Sequence, residues 1–243
     1  MQILRNVADG AKRACKCIKR GAQHISCLVY PSFCLFCEKL VGAKQVCCVE
    51  CCRRIIPPAT CEINVTETRK IKVYALGDYR GPLRRVLMGK FHGDKNASWK
   101  LATLLTQIPR FSLFLDKDFC KNSILVPVPL HWSREVTRGF NQAKVMAGVY
   151  SQSTGIPVMN LVVRSKRTVY QSLLEKRERR KNVKDAFALS SILSTKDMDF
   201  FKGKNFILVD DLCTTGETLR AVAKPLMKLK PASFSAAVVC RVL

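Results

Sequence analysis

Over residues 1–25, Ile3, Leu4, Val7, Ala11, Ala14, Cys15 and Ile18 recur at helical spacing, while Arg5, Lys12, Arg13, Lys16, Lys19 and Arg20 take the other positions. The pattern predicts a basic amphipathic helix. Such a helix suits a membrane surface or nucleic acid, and equally suits packing of its apolar stripe on the rest of the protein. The pattern changes at Pro57-Pro58, which closes a cysteine-crowded stretch from Cys27 to Cys61. Beyond it, Ile71–Tyr79 alternates as a strand does, and Leu83–Met88 and Trp99–Leu105 carry helical spacing. Ile124–Pro127 and Phe206–Val209 are short apolar runs of the kind that form strands buried on both faces. Between them, Gln142–Tyr150 reads as a helix and Val162-Val163 as part of a strand. Strand, loop and helix thus repeat from Ile124 onward, which predicts an α/β domain built on an open parallel sheet. Ligands of such sheets bind at the carboxyl ends of the strands.

Length changes this picture only by bounding it: 243 residues accommodate one α/β domain and a small appended module. The boundary is expected near residues 57–68. No stretch approaches the ~18 uninterrupted apolar residues of a membrane span. Charge changes it more, because 42 Lys and Arg face 18 Asp and Glu, a net +24. Some surfaces must present strong positive potential, for which nucleic acid, an anionic membrane or a phosphorylated small molecule is the natural partner. Aromatic residues make up only 8% of the chain, without the basic-aromatic interleaving usual in single-strand binders. The dense basic run Lys176–Lys184 reads as a solvated helix face.

Candidate chemistry concentrates in Phe206-Ile-Leu-Val-Asp-Asp-Leu-Cys-Thr-Thr-Gly-Glu-Thr-Leu219. Adjacent carboxylates at a strand end, Asp210 and Asp211, can accept hydrogen bonds from vicinal ribose hydroxyls. Gly216 lets backbone amides approach a phosphate at a helix N-terminus, and Thr214, Thr215 and Thr218 add hydroxyls. A simple helix cap at Asp211 or Thr215 would account for neither the paired acids nor the run of hydroxyls. Arg134 and Arg138, four residues apart, can share a helix face, which suits a diphosphate as well as it suits solvent.

Thirteen cysteines, an odd count in a chain of this size without a convincing secretory signal, favour a reducing compartment with some thiolates on metal. Cys34-x2-Cys37 and, ten residues on, Cys48-x2-Cys51 can converge as four thiolates around a structural zinc. Cys47 and Cys52 flank the second pair and offer another register. Glu38 stands where such knuckles often place glycine. Cys15, Cys17, Cys27, Cys61, Cys120, Cys213 and Cys240 are read as small buried or half-buried thiols.

The segment ending in Asp210-Asp211 and its threonine-rich turn resembles the phosphoribosyl pyrophosphate signature of type I phosphoribosyltransferases. Val126-Pro-Val-Pro-Leu-His-Trp-Ser-Arg-Glu-Val-Thr-Arg-Gly-Phe-Asn-Gln-Ala143 resembles the hallmark of the ComF family. Tyr79–Leu83, Lys90–Asp94, Arg167, Thr168, Gln171, Leu174, Arg179, Asn182 and Phe187 extend that resemblance, which runs from about Cys34 to the C-terminus. The resemblance implies a type I phosphoribosyltransferase-like domain over residues 68–243, behind a zinc module over 26–62 and the helix over 1–25. It selects Cys34, Cys37, Cys48 and Cys51 as the zinc ligands. It assigns ribose recognition, and any catalysis, to Asp210 and Asp211, and the 5′-phosphate to the loop Cys213, Thr214, Thr215, Gly216, Glu217 and Thr218. Pyrophosphate would fall to the turn containing Leu130 and His131, with Arg134 and Arg138 nearby, under a mobile hood over 164–187. Magnesium would accompany phosphoribosyl pyrophosphate. No residue stands out as a general base for an acceptor, so the sequence leaves turnover open. Competence, DNA uptake and the handling of incoming single-stranded DNA beside a helicase or recombination loader are implied by the same likeness. So is a cytoplasmic location, the inner face of the membrane included. The contrasting expectation is a non-catalytic DNA-binding or adaptor protein that uses the fold as a scaffold.

Overall fold

A computed structural model of the protein describes residues 32–42, 45–55, 60–89, 95–107, 116–130, 135–136, 139–164, 186–191 and 195–242. The expected N-terminal helix, Cys15, Cys17, Cys27, Lys90–Asp94, His131, Arg134, Arg138 and all of the hood between 165 and 185 lie outside the described residues. The chain divides into two compact units, Met1–Cys52 and Arg53–Leu243.

The first unit is organised by its cysteines. Strands β1 (Ser32–Phe33) and β2 (Leu40–Val41) pair antiparallel, Ser32 opposite Val41 and Phe33 opposite Leu40. The turn between them carries Cys34 and Cys37. Helix α1 (Val49–Arg53) begins beside Cys48.

The second unit is built on a five-stranded sheet. Its strands are β3 (Cys61–Asn64), β4 (Lys70–Asp78), β5 (Ser123–Pro127), β8 (Asn205–Cys213) and β9 (Ser233–Arg241), in the order β3-β4-β9-β8-β5. Strands β4, β9, β8 and β5 are mutually parallel, and β3 pairs antiparallel with β4. The sheet is therefore mixed, where sequence pattern pointed to a parallel one. Four-residue β3 follows β4's edge in a direction that periodicity does not encode. Pro157 and Met159 add hydrogen bonds beyond β5, to the N–H and carbonyl of Leu125.

Phe206, Ile207, Leu208 and Val209 are all almost fully buried, as a central parallel strand requires. On one face Ile71, Val73, Ile124, Val126, Phe206, Leu208, Phe234 and Ala236 form a single core with Leu219, Val222, Ala223 and Leu226. Those last four belong to helix α7 (Glu217–Leu226). The hairpin of β6 (Val162–Arg164) and β7 (Phe187–Leu189) joins the same core. Helices α3 (Lys95–Gln107) and α5 (Gln142–Thr154) pack on each other and contact the sheet strands, burying Leu101, Leu105, Met146 and Ala147. Helices α2 (Gly81–Gly89), α4 (Lys117–Lys121) and α6 (Thr195–Phe201) complete the unit. Among the described residues, no helix is long and apolar enough to cross a membrane.

Candidate functional site

The apolar run of β8 does not stop at the acids. Asp210 pairs in register with Val238, and the strand continues through Leu212 opposite Cys240 to Cys213 opposite Arg241. Asp210 and Asp211 are thus held by a ladder on β9, at the carboxyl end of a central strand. Asp210 Oδ1 accepts a hydrogen bond of 2.9 Å from the Asp211 N–H, which fixes its rotamer. Both residues are only partly accessible. Burial pushes the Asp210 carboxyl well above the usual carboxylate range, and the negative charge of Asp211 adds to the rise. The Arg164 guanidinium works in the opposite direction.

Arg164 closes β6, and its guanidinium lies over the Phe187 ring, 5.3 Å from the centroid. It was not among the residues singled out from the sequence. A lone arginine ending a short strand carries no local signal, and only the β6–β7 hairpin brings its charge to Asp210.

Three residues separate β8 from α7. Thr214 and Thr215 are exposed, Thr218 is half-buried, and Gly216 is the helix cap at φ 77° with no side-chain hydrogen bond capping the first turn. The first amides of α7 therefore have no partner within the helix, and with the helix dipole they favour an anion. Glu217 is engaged by Arg220 at 2.5 Å, and Arg220 Nε also donates to the Asn64 carbonyl at 2.7 Å. This ties the head of α7 to β3. Cys213 points into the core, its thiol pushed up to about 12 chiefly by burial.

On the neighbouring strand, Val128 donates to the Val209 carbonyl at 2.9 Å, so the chain leaving β5 stays beside β8. Asn141 is nearly fully buried and accepts from the Ala143 and Lys144 N–H groups, capping α5, while its Nδ2 donates to the Val128 carbonyl at 3.1 Å. Leu130 follows, half-buried. The structure thus brings together Asp210, Asp211 and residues 213–218, and leads the chain toward them at Leu130.

In the first unit, Cys34, Cys37, Cys48 and Cys51 place their sulfurs within 4.8 Å of one another. Cys37 Sγ and Cys48 Sγ are 3.7 Å apart, close to the roughly 3.8 Å edge of a tetrahedron with ~2.3 Å metal–sulfur bonds. The Cys48 N–H points at Cys34 Sγ and the Cys51 N–H at Cys48 Sγ, each at 3.4 Å. Burial opposes ionisation of Cys34, yet amide donation from Cys48, Cys37 and Phe36 brings its thiol down to about 6. These four cysteines fit a tetrahedral metal ion. Cys47 donates to the Cys48 carbonyl at 3.2 Å and is not one of the four clustered sulfurs. Glu38 occupies the glycine position of the knuckle with a left-handed φ of 61°. Among the described residues all cysteines are free thiols.

The family model for the phosphoribosyl transferase domain matches residues 145–243, which include Asp210–Thr218. Competence protein F of Haemophilus influenzae is 39% identical over 106 residues, covering 43% of this chain and 44% of that protein. Competence protein ComFC of Bacillus subtilis is 37% identical over 116 residues, covering 47% and 43%. The matched stretch thus spans less than half the length of either relative. DNA utilization protein YhgH of Salmonella typhimurium is 28% identical over 177 residues, covering 71% of this chain and 73% of that protein. Among solved structures, hypoxanthine-guanine phosphoribosyl transferase of L. donovani superposes with a TM-score of 0.34 at 18% identity, over 62% of this chain and 71% of that one. That score is too low to add to the topology described above.

Proposed function

Because this chain belongs to the ComF/YhgH family and carries its phosphoribosyltransferase domain, we propose that it binds phosphoribosyl pyrophosphate, as the magnesium complex, at the carboxyl end of β8. The observation that carries this reading is the continuity of Asp210-Asp211 with the uncapped first turn of α7. Acceptors for two ribose hydroxyls are thereby set one short turn from donors for a phosphate. Asp210 and Asp211 take the 2′- and 3′-hydroxyls, and Thr214, Thr215, Gly216 and Thr218 take the 5′-phosphate. The pyrophosphate falls to the turn from Leu130 onward with Arg134 and Arg138. Arg164 holds the Asp210-Asp211 pair in its binding state by favouring the second negative charge, which its own positive charge offsets.

The four-cysteine cluster holds zinc, which supplies folding energy rather than chemistry, since all four ligand positions are filled by protein. Its ligands fall in the unit that ends at Cys52, while the sheet of the transferase-like domain takes in β3 from Cys61 onward. In the cell the protein acts in the cytoplasm on incoming single-stranded DNA, a role consistent with the names of its relatives, with a helicase or recombination loader as partner.

Hydrogen exchange tests the phosphate assignment. Adding magnesium-phosphoribosyl pyrophosphate should slow exchange of the amides from Thr215 to Leu219 and leave the β1–β2 amides of the first unit on their original rates. Unchanged rates at saturating ligand would remove the 5′-phosphate from this turn.

A second reading, a non-catalytic DNA-binding protein, is favoured by one specific observation, the net charge of +24. It predicts binding of single-stranded DNA that collapses between low and physiological salt and is indifferent to Asp210→Asn.

A further inference from the structure

A cavity opens in the Arg53–Leu243 unit at the carboxyl end of β4, two strands from β8, with a volume of about 340 Å³. Its walls include buried Ile55 and Leu83, and three arginines line it: Arg54, Arg80 and Arg85. Among the described residues its one acid is Asp78, the last residue of β4. Asp78 Oδ1 is buried and has no hydrogen-bond partner among the described residues. Neither Arg80 nor Arg85 makes an ion pair among the described residues.

These facts point to a ligand with two ends. A cluster of guanidinium groups in a partly apolar cavity concentrates positive potential, and their planar forks match phosphate oxygens. A buried carboxylate oxygen without a donor is costly, and the cost is relieved by a hydroxyl or amino group brought in by the ligand. A free phosphate satisfies only the first demand. A nucleotide satisfies both, with its phosphate on the arginines and a sugar hydroxyl or base amine on Asp78. The volume is of the right order for one such unit.

We infer that this cavity is a nucleotide site, separate from the ribose-phosphate site on β8, lined by Arg54, Arg80 and Arg85 for the phosphate and by Asp78 for the donor end. The two sites are neighbours along one sheet edge, because Cys240 on the intervening β9 feels the negative charge of both Asp211 and Asp78. The nucleotide is either a free mononucleotide or one unit of a single strand, since both offer the same phosphate and donor groups.

The test uses the full chain with two probes, deoxyadenosine 5′-monophosphate by calorimetry and a fluorescein-labelled single-stranded oligodeoxyadenylate by anisotropy. Arg80→Gln/Arg85→Gln should weaken the bound probe at least tenfold. Arg80→Lys/Arg85→Lys should recover part of that loss. Asp210→Asn/Asp211→Asn should leave the affinity unchanged. For the oligonucleotide, removing a phosphate contact should also make the salt dependence shallower by about 0.7 per contact. Binding of the mononucleotide, with displacement of the strand, identifies a small-molecule site, and binding of the strand alone identifies a nucleic-acid site. Both arginines are exposed, so the melting temperature should not move. Three results overturn the inference: unchanged affinity in Arg80→Gln/Arg85→Gln, no binding of either probe to folded wild type, or loss of binding in Asp210→Asn/Asp211→Asn.

Discussion

Ile63, on the antiparallel edge strand β3, lies directly over Gly216 at the head of α7: a Cβ added to Gly216 would sit 2.9 Å from Ile63 Cγ1 and closer still to Cδ1. Gly216 is therefore required twice, by its φ of 77° and by the side chain packed on it. The turn proposed to hold a phosphate is shaped by a strand some 150 residues earlier in the chain.

Gly216→Ala should cost about 2 kcal/mol or more, from the left-handed conformation and the clash together. In a domain of this size that lowers the melting temperature by roughly 4–8 °C. Adding Ile63→Ala should recover the part due to the clash, so the double variant should be more stable than additivity of the two single changes allows. Strict additivity by thermal melting would mean that the two residues do not press on each other.

The Asp210 carboxyl should make stability fall with rising pH. Burial and Asp211 raise its native value, so between the unfolded value near ~3.9 and that raised value the native state binds more protons than the unfolded chain. The penalty is absent at low pH, grows through this window and is fully present above it. Asp210→Asn removes the penalty while its amide oxygen keeps the bond from the Asp211 N–H. Without ligand, the variant should melt a few degrees higher than wild type at pH 7.5 and lose that advantage toward pH 4. A pH-independent difference would contradict the assignment.

Metal content separates the two cysteine registers. Zinc should be present at about one equivalent per chain in wild type and in Cys47→Ser, and be lost in Cys34→Ser and Cys48→Ser. Acidification should release it, because protons compete for the thiolates. Full zinc retention in Cys48→Ser would contradict the ligand set.

Asn141 has a structural task in a motif otherwise suggestive of ligand binding. Asn141→Ala removes the α5 cap and leaves the Val128 carbonyl without its donor, together about 2 kcal/mol. Urea unfolding should show this as a lower midpoint at unchanged slope.

Much of the site was legible because local chemistry carries it. Four apolar residues followed by two acids, two threonines and a glycine can be read without a partner strand, and two C-x2-C pairs announce a tetrahedral cluster. Strand β9 was missed although it is central to the sheet. Ser233, Ser235, Ala236 and Ala237 make its periodicity faint, and small residues fit there because α7 and α3 pack close to the sheet. Arg164, Ile63 and Asp78 could not be read because their roles depend on which strands become neighbours. The choice between Cys47 and Cys48 depended on which sulfur lies with the other three.

The central claim is tested most directly by calorimetric titration of magnesium-phosphoribosyl pyrophosphate into the zinc-loaded protein and into Asp210→Asn/Asp211→Asn. The account predicts saturable micromolar binding at one site per chain, abolished in the double variant while its melting temperature stays at or above that of wild type. Absence of heat with folded wild type, or equal affinity in the double variant, would contradict it.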